Sequence, residues 1–274
     1  MLCILDGPMG TELAKRGCQL PDGTWSALPN LENPEHVRGV HRAYAEAGAD
    51  VHTVNTFRTQ PRVLGDRWRS VLDAAVRLAR EALGPDAVLA GSMAPLEDCY
   101  RPDLSPADPR AEHREMAAAL SEAGVDILLC ETFPHVGEAL VAVEEAVGTG
   151  LETWVAFTGG PDGSLLSPTE VAEAGRLAVE LGVSAVLVNC VAPELVLAYL
   201  EALKDLPLPI GAYANGGHQS EDGPWVPDTE ESVENYVRWA VQWVEAGATI
   251  VGSCCGTGVG HVAALNQELR GGSQ

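Results

Sequence analysis

The sequence is poor in basic residues, with 17 Lys and Arg against 39 Asp and Glu in 274 residues, and its formal net charge is −22 at pH 7. Nucleic acids and anionic membranes are bound through basic faces, so this composition argues against both as partners. A solvated acidic surface is the simpler interpretation of the charge. A cationic substrate would be favoured only weakly by it.

Long apolar segments are also missing. No run approaches the roughly 20 apolar residues that a membrane helix needs, and the first six residues lack the basic start of a signal peptide. The seven cysteines are an odd number without a regular framework, which favours a reducing compartment over a disulfide scaffold. We therefore expect a cytoplasmic protein.

Aromatic residues are scarce, at 5% of the chain, whereas small and branched apolar residues are frequent, as is typical of helices packed on parallel strands. A loose repeat of the form Glu-x-Gly occurs four times, with its glutamate at Glu46, Glu122, Glu180 and Glu245. Each copy lies between the end of a helical pattern and the start of an apolar run. The glycine of each repeat lies where a helix end favours a left-handed residue. Asn33, Asp108 and Ser167 each precede a proline, and we expect each to cap a helix.

Strands and helices alternate strictly along the predicted chain. Strands are predicted near 2–6, 50–55, 87–92, 126–131, 153–158, 185–190, 209–214 and 248–253. Helices are predicted near 34–47, 70–83, 109–123, 136–147, 168–181, 193–204, 230–246 and 259–269. The pattern predicts a closed (β/α)8 barrel, one α/β domain over residues 1–274, with an open doubly wound sheet as the alternative. The segments 16–33, 94–108 and 215–229 are long and polar, and we predict that they are active-site loops.

Two adjacent cysteines, Cys254 and Cys255, follow the last predicted strand and lie among glycines. Neighbouring side chains on a regular strand point to opposite faces, so both sulfurs reach one point only if the backbone leaves strand geometry. A third cysteine, Cys190, ends the sixth strand. Three thiolates at strand ends can form a metal site with one open coordination position. Taken alone, Cys190 is more typical of a small core residue.

The other predicted strand ends carry acids and amides, and catalytic residues of (β/α)8 barrels come from such positions. Asp6 and Glu131 have a functional interpretation, in which they hold the ammonium of an amino-acid substrate. The structural alternatives are an arginine partner for Asp6 and a helix-capping role for Glu131. The turn 256–260 is rich in glycine and resembles a phosphate cradle, but the cysteine pair already explains the glycines. The remaining cysteines have no such grouping and are interpreted as structural: Cys3, Cys18, Cys99 and Cys130.

Six motifs occur in the order found in the homocysteine S-methyltransferase family, which this chain resembles from about residue 4 to 268. They are Asp6-Gly7-Pro8-Met9-Gly10-Thr11-Glu12-Leu13, Asn55-Thr56-Phe57, Glu131-Thr132-Phe133, Val188-Asn189-Cys190, Asn215-Gly216-Gly217 and Gly252-Ser253-Cys254-Cys255-Gly256-Thr257. The resemblance implies a (β/α)8 barrel that binds zinc through the three cysteines Cys190, Cys254 and Cys255. It also implies homocysteine binding by Asp6 and Glu131, with further substrate-binding residues at Gly7, Asn55 and Asn215. The Asn215 amide is expected to fill the fourth zinc position before the substrate arrives.

Zinc would deprotonate a thiol whose free pKa is about 8.5, and the thiolate is the nucleophile. The reaction that the resemblance implies is methyl transfer to homocysteine, with S-methylmethionine or S-adenosylmethionine as the expected donor. A betaine-type enzyme, a detached methionine-synthase module and a non-catalytic zinc-binding barrel are the alternatives. The chain departs from the family pattern at Ser253, where glycine is usual, and in shortened loops at 59–69 and after the third strand. These loops leave the methyl donor open, and nothing in the sequence gives the oligomeric state.

Overall fold

The computed structural model describes residues 2–21, 23–216 and 229–271, so most of the predicted loop 215–229 lies outside the described residues. The strands are β1 (Cys3–Ile4), β2 (Val51–Val54), β3 (Val88–Met93), β4 (Ile127–Phe133), β5 (Glu152–Phe157), β6 (Ala185–Asn189), β7 (Ile210–Ala214) and β8 (Ile250–Ser253). The helices are α1 (Met9–Lys15), α2 (Pro29–Glu32), α3 (Pro34–Glu46), α4 (Pro61–Leu64), α5 (Trp68–Leu83), α6 (Arg110–Ala123), α7 (Val136–Val147), α8 (Pro168–Leu181), α9 (Val196–Leu203), α10 (Glu230–Glu245) and α11 (Val259–Gly271). None of these described helices is long and apolar enough to cross a membrane.

The strands form one parallel sheet in the order β1-β8-β7-β6-β5-β4-β3-β2. Hydrogen bonds between its two ends close the sheet: Asp6 N donates to Val51 O at 3.1 Å, and Asp50 N donates to Ile4 O at 2.8 Å. The predicted (β/α)8 barrel is therefore confirmed, and the open doubly wound alternative is wrong.

Alternation along the strands divides the buried residues into an inner and an outer set. The inner cluster takes side chains from the region of all eight strands: Leu5, Val51, Ala90, Ile127, Leu129, Trp154, Ala156, Ala185, Leu187, Tyr213 and Ile250. The outer cluster joins the opposite faces of the strands to the surrounding helices, and Cys130 belongs to it. Burying one large aliphatic side chain contributes about 1.5–3 kcal/mol, so the two clusters hold the barrel rigid beneath its polar mouth.

The predicted helix ends are confirmed where glycine forms them. The glycines of the four repeats all have positive φ: Gly48 (97°), Gly124 (88°), Gly182 (103°) and Gly247 (103°). Of the three predicted helix caps, only one is confirmed. Ser167 and Glu170 form a capping box on α8, whereas the Asn33 side chain makes no capping hydrogen bond to α3. Helix α6 begins at Arg110, with Pro109 rather than Asp108 in the capping position.

Candidate functional site

A cavity of about 950 Å³ opens at the carboxyl ends of the barrel strands. Its lining includes most of the predicted site residues: Asp6, Gly7, Asn55, Glu131, Cys190, Cys254 and Cys255. Each of these residues lies close to the carboxyl end of a different strand, apart from the two adjacent pairs. Such convergence is expected at the catalytic end of a (β/α)8 barrel.

The sulfurs of Cys190 and Cys254 lie together as a disulfide, with their Cα atoms 5.9 Å apart. Cys255, the next residue, carries a free, half-buried thiol. Two backbone hydrogen bonds tie this segment to the end of β7: Cys254 N donates to Ala214 O and Gly216 N donates to Cys255 O, both at 2.8 Å. With the disulfide present, the described residues contain no cluster of three or more His, Cys, Asp or Glu side chains suited to a metal ion.

Burial and the nearby Glu131 carboxylate raise the pKa of the Cys255 thiol to about 11. Burial dominates because a thiolate loses its hydration inside the barrel mouth. A thiolate at this position therefore needs a cation beside it at neutral pH.

Glu131 is 8% exposed and points into the barrel mouth. Its carboxylate accepts hydrogen bonds from the hydroxyls of Ser92 and Tyr213, the latter at 2.9 Å. Burial raises the pKa of Glu131, although both hydroxyls favour the ionised form. The capping alternative is excluded for this residue, because the His135 ring, which accepts from Glu138 N at 3.1 Å, caps α7 instead.

Asp6 is 2% exposed, and one of its carboxylate oxygens accepts a hydrogen bond from Thr53 N at 2.9 Å. Burial raises the pKa of Asp6 well above its ordinary value, and the negative charge of Glu131 adds to the increase. Among the ion pairs of the described residues, none joins Asp6 to an arginine. Within the part of the chain that the structure describes, two buried carboxyl groups therefore line the cavity without a cationic partner.

The two predicted amides differ in how they are bonded. The Asn55 carboxamide forms hydrogen bonds through both its oxygen and its nitrogen. It accepts from Ser26 Oγ at 2.6 Å and donates to Ser26 O at 2.7 Å and to Asn30 Oδ1 at 2.8 Å. It thereby fixes the predicted loop 16–33 against the end of β2. Asn215 is 1% exposed, and neither of its amide atoms has a well-formed hydrogen bond within the described residues.

The loop after β3 brings into the cavity two residues that sequence reasoning missed, Cys99 and Tyr100. The expectation that Cys99 has no grouping with the other thiols is corrected here, because it lies near enough to Cys255 for their charges to interact. The Glu138 carboxylate fixes both ends of this loop, accepting from Leu96 N at 2.8 Å and from Ser105 Oγ at 2.6 Å. It also contacts His113 Nε2 at 3.2 Å.

Ser92, Tyr213 and Thr53 are further site residues that the sequence did not single out. Strand alternation carried a usable signal for Tyr213, since it places that side chain on the inner face with Leu187 and Ile250. The contributions of Cys99, Tyr100 and Glu138 depend on loop conformation, for which the sequence has no comparable periodic signal.

A closed (β/α)8 barrel with thiols and buried carboxyl groups at the carboxyl ends of its strands defines an enzyme suited to sulfur chemistry. The sequence profile of the family described as homocysteine S-methyltransferase matches residues 3–269. The chain belongs to the homocysteine S-methyltransferase family and is a methyltransferase.

Relatives in two bacteria agree with this assignment. The homocysteine S-methyltransferase of Escherichia coli (strain K12) is 33% identical over 96% of this chain and 94% of its own length. The homocysteine S-methyltransferase YbgG of Bacillus subtilis (strain 168) is 30% identical over 98% and 96%. The crystal structure of the homocysteine methyltransferase MmuM from Escherichia coli, in a metallated form, has a TM-score of 0.81 at 30% identity and covers 96% of this chain and 95% of that one. Both the family and the full-length similarity thus agree with the observed fold.

Proposed function

We propose that this protein transfers a methyl group from a sulfonium donor, S-methylmethionine or S-adenosylmethionine, to the thiol of L-homocysteine, giving methionine. We further propose that the reaction depends on zinc bound by Cys190, Cys254 and Cys255. The observation that carries the proposal is the convergence of these cysteines at the mouth of the barrel, with Cys190 and Cys254 in direct contact and Cys255 beside them.

Three cysteine sulfurs are a donor set that zinc favours, and reduction of the disulfide would free two of them as ligands. In support of the proposal, Cys190 and Cys254 are in direct contact, and the free thiol of Cys255 belongs to a residue that lines the same cavity. Three thiolates leave one position of a tetrahedral zinc open. Within the described residues the buried carboxamide of Asn215 interacts with the Tyr100 side chain but makes no well-formed hydrogen bond, which suits a polar group that would fill the open position before homocysteine arrives.

Bound zinc would supply a deprotonated homocysteine thiol at neutral pH, which the free thiol largely is not. The protein's own groups bind and orient the substrate. Asp6 and Glu131 would hold its ammonium, and in support of this both are buried, line the cavity and have no cationic partner among the described residues. Gly7 lines the cavity beside Asp6 and would contact the substrate through its backbone, and glycine is needed there because an added Cβ would lie 2.7 Å from the Tyr44 hydroxyl. Asn55 acts by fixing the loop that contains Ser26.

Transfer requires the donor methyl group to be held in line with the homocysteine sulfur. One carbon–sulfur bond forms to homocysteine as the donor's carbon–sulfur bond breaks, and the electron pair of that bond stays with the donor sulfur. A sulfonium thereby leaves as a neutral thioether, so its departure requires no general acid. The proton lost is that of the homocysteine thiol, and it is released to solvent when the thiol ionises.

A donor panel tests the proposal. The reduced, zinc-loaded protein would be incubated with homocysteine and with S-methylmethionine, S-adenosylmethionine or betaine in turn, and methionine would be followed by mass spectrometry. We expect methionine from at least one sulfonium donor. Turnover with betaine alone would favour a betaine-type enzyme, and no methionine from any donor, with zinc retained, would favour a non-catalytic zinc-binding barrel.

A further inference from the structure

The charged side chains that line the cavity differ in whether they form ion pairs. Four carboxylates, Asp6, Glu97, Asp98 and Glu131, share the lining with two cations, Arg58 and Arg62. Arg62 is neutralised by Glu97 and Glu112 through ion pairs. Arg58 has no ion pair among the described residues, although it lines the same cavity.

The Arg58 guanidinium is nevertheless held in place. Its Nη1 donates to Glu97 O at 2.9 Å and, more weakly, to Pro95 O at 3.4 Å. The guanidinium carbon also lies 5.3 Å from the centre of the neighbouring Phe57 ring, a distance at which cation–π attraction operates. The residue is therefore oriented before any ligand binds, which lowers the entropic cost of binding.

These contacts do not neutralise Arg58. Backbone carbonyls are uncharged acceptors, and both hydrogen bonds are donated by the same nitrogen, Nη1. Within the described part of the chain, Nε and Nη2 have no hydrogen-bond acceptor. A guanidinium with free donors matches the two oxygens of a carboxylate and binds such a group in bidentate fashion.

We propose that Arg58 binds the α-carboxylate of an amino-acid substrate in this cavity. This inference rests on the proposed function and deepens it, because buried carboxyl groups and a fixed guanidinium together complement a zwitterion. Homocysteine and an amino-acid methyl donor such as S-methylmethionine both carry this group. The chemistry of the site is the same for either, and the experiment distinguishes them.

The competing interpretation is purely structural, with Arg58 serving only to anchor the loop after β3 through Pro95 and Glu97. The two interpretations differ in what loss of the guanidinium does to different ligands. A loop anchor affects every ligand that contacts the loop, whereas a carboxylate-binding residue affects only ligands with a carboxylate.

The test measures equilibrium binding to Arg58→Gln and the wild type by calorimetry, without turnover, so it remains informative if no methyl donor works. One ligand pair is homocysteine and 3-aminopropane-1-thiol, which lacks only the carboxylate. The other is S-methylmethionine and (3-aminopropyl)dimethylsulfonium, matched in the same way. Arg62→Gln is the control variant, since it also removes a contact to Glu97 but from an arginine that is already ion-paired.

We expect Arg58→Gln to weaken the carboxylate-bearing member of one pair by roughly ten- to a hundredfold, the scale of a hydrogen bond to a charged group. Its carboxylate-free analogue should bind both proteins equally, and the affected pair identifies the substrate. Arg62→Gln should leave this preference for the carboxylate intact. Equal weakening of both members of each pair, or no weakening in either, would overturn the proposal. If Arg58→Gln does not fold, Arg58→Lys replaces it, with a smaller loss confined to the same ligand.

Discussion

Thr132 and Cys190 both hold their backbones in the left-handed region, at φ of 64° and 53°, and Thr132 Oγ1 lies 3.8 Å from Cys190 Sγ. Residues other than glycine rarely adopt this conformation, and each instance costs on the order of 1–3 kcal/mol. By strand alternation Val188 faces the helices, so a regular continuation of β6 would turn Cys190 outward as well. The left-handed backbone instead directs the Cys190 sulfur into the barrel mouth.

Asn189 bonds to both of these residues, and its removal should weaken zinc binding at the proposed site. Its side chain accepts from Thr132 N at 3.1 Å and donates to Thr132 Oγ1 at 2.8 Å and to Cys190 Sγ at 3.4 Å. We expect Asn189→Ala to lower zinc affinity by roughly ten- to a hundredfold, as is usual when a group that orients a ligand is lost. Competition with a chromogenic chelator measures this. Asn30→Ala, which removes buried hydrogen bonds away from the sulfurs, should leave zinc affinity unchanged.

Replacing Glu131 with Gln separates substrate binding from structural support. Gln keeps the shape and can still accept from Tyr213, so zinc content and melting temperature should change little. Homocysteine affinity should fall by about 1.5–3 kcal/mol, the scale of a hydrogen bond to a charged group, which is roughly ten- to more than a hundredfold in dissociation constant.

A ligand without the amino group completes the cycle for Glu131. The thiol 4-mercaptobutyrate should bind the wild type and Glu131→Gln almost equally, because it has no ammonium group for Glu131 to bind. A coupling energy near zero between the ligand change and the mutation would show that Glu131 does not bind the ammonium group.

Glu138 should control the loop after β3, because its carboxylate accepts from both Leu96 and Ser105. We expect Glu138→Ala to release the loop and expose Cys99, which is half-buried in the wild type. The readout is the alkylation rate of the peptide containing Cys99, followed by mass spectrometry in the zinc-loaded protein. That rate should rise several-fold, and Glu138→Gln should restore most of the protection because it retains the same shape.

The matched control for Glu138 is Glu145→Gln on the same helix. Glu145 pairs with Arg110 and Arg114 of α6, so its loss weakens the same helix contact without touching the loop. An equal rise in Cys99 alkylation in both variants would mean that Glu138 acts through general stability alone.

Two buried histidines, His41 and His52, should make folding sensitive to mild acid. Burial lowers the pKa of His41 to about 3 and that of His52 to about 4, against about 6.5 in an unfolded chain. Above pH 6.5 both states are neutral at these positions. Below it the unfolded state binds protons that the folded state does not, so the free energy of unfolding falls as the pH decreases towards the folded pKa values.

The expected loss is about 2 kcal/mol per histidine between pH 7 and pH 5. Urea unfolding curves at the two pH values measure this loss of unfolding free energy. In His41→Leu the loss should be smaller by the contribution of His41. His36→Gln, at an exposed position, should change nothing. An undiminished pH dependence in His41→Leu would show that His41 is not the group responsible.

The barrel was predictable because its signals are local and repeated. The glycine that ends each helix repeat has positive φ in the structure, as at Gly124 and Gly182, and every predicted strand appears within a few residues of its expected bounds. Helix starts were less predictable: the residue before a proline did not reliably cap, as Asn33 demonstrates.

The location of candidate residues was predictable only where they lie near the ends of strands. Strand ends meet at one edge of the barrel, and Cys190, Glu131 and the cysteine pair line the cavity there, whereas their roles stay predictions. The sequence does not indicate that the backbone of Cys190 is left-handed, because this position is not a glycine. The positions of Cys99 and Arg58 in the cavity depend on contacts made by their loops with distant residues, such as Glu138 and Glu97, which no local pattern predicts.

The central claim is a zinc site made by Cys190, Cys254 and Cys255, and metal stoichiometry tests it most directly. The reduced wild type, Cys254→Ala and the control Cys18→Ser would be loaded with zinc, desalted and assayed by atomic absorption. We expect roughly one zinc per chain in the wild type and in Cys18→Ser, because a thiolate site binds tightly, and little or none in Cys254→Ala. Wild-type stoichiometry in Cys254→Ala would contradict the account.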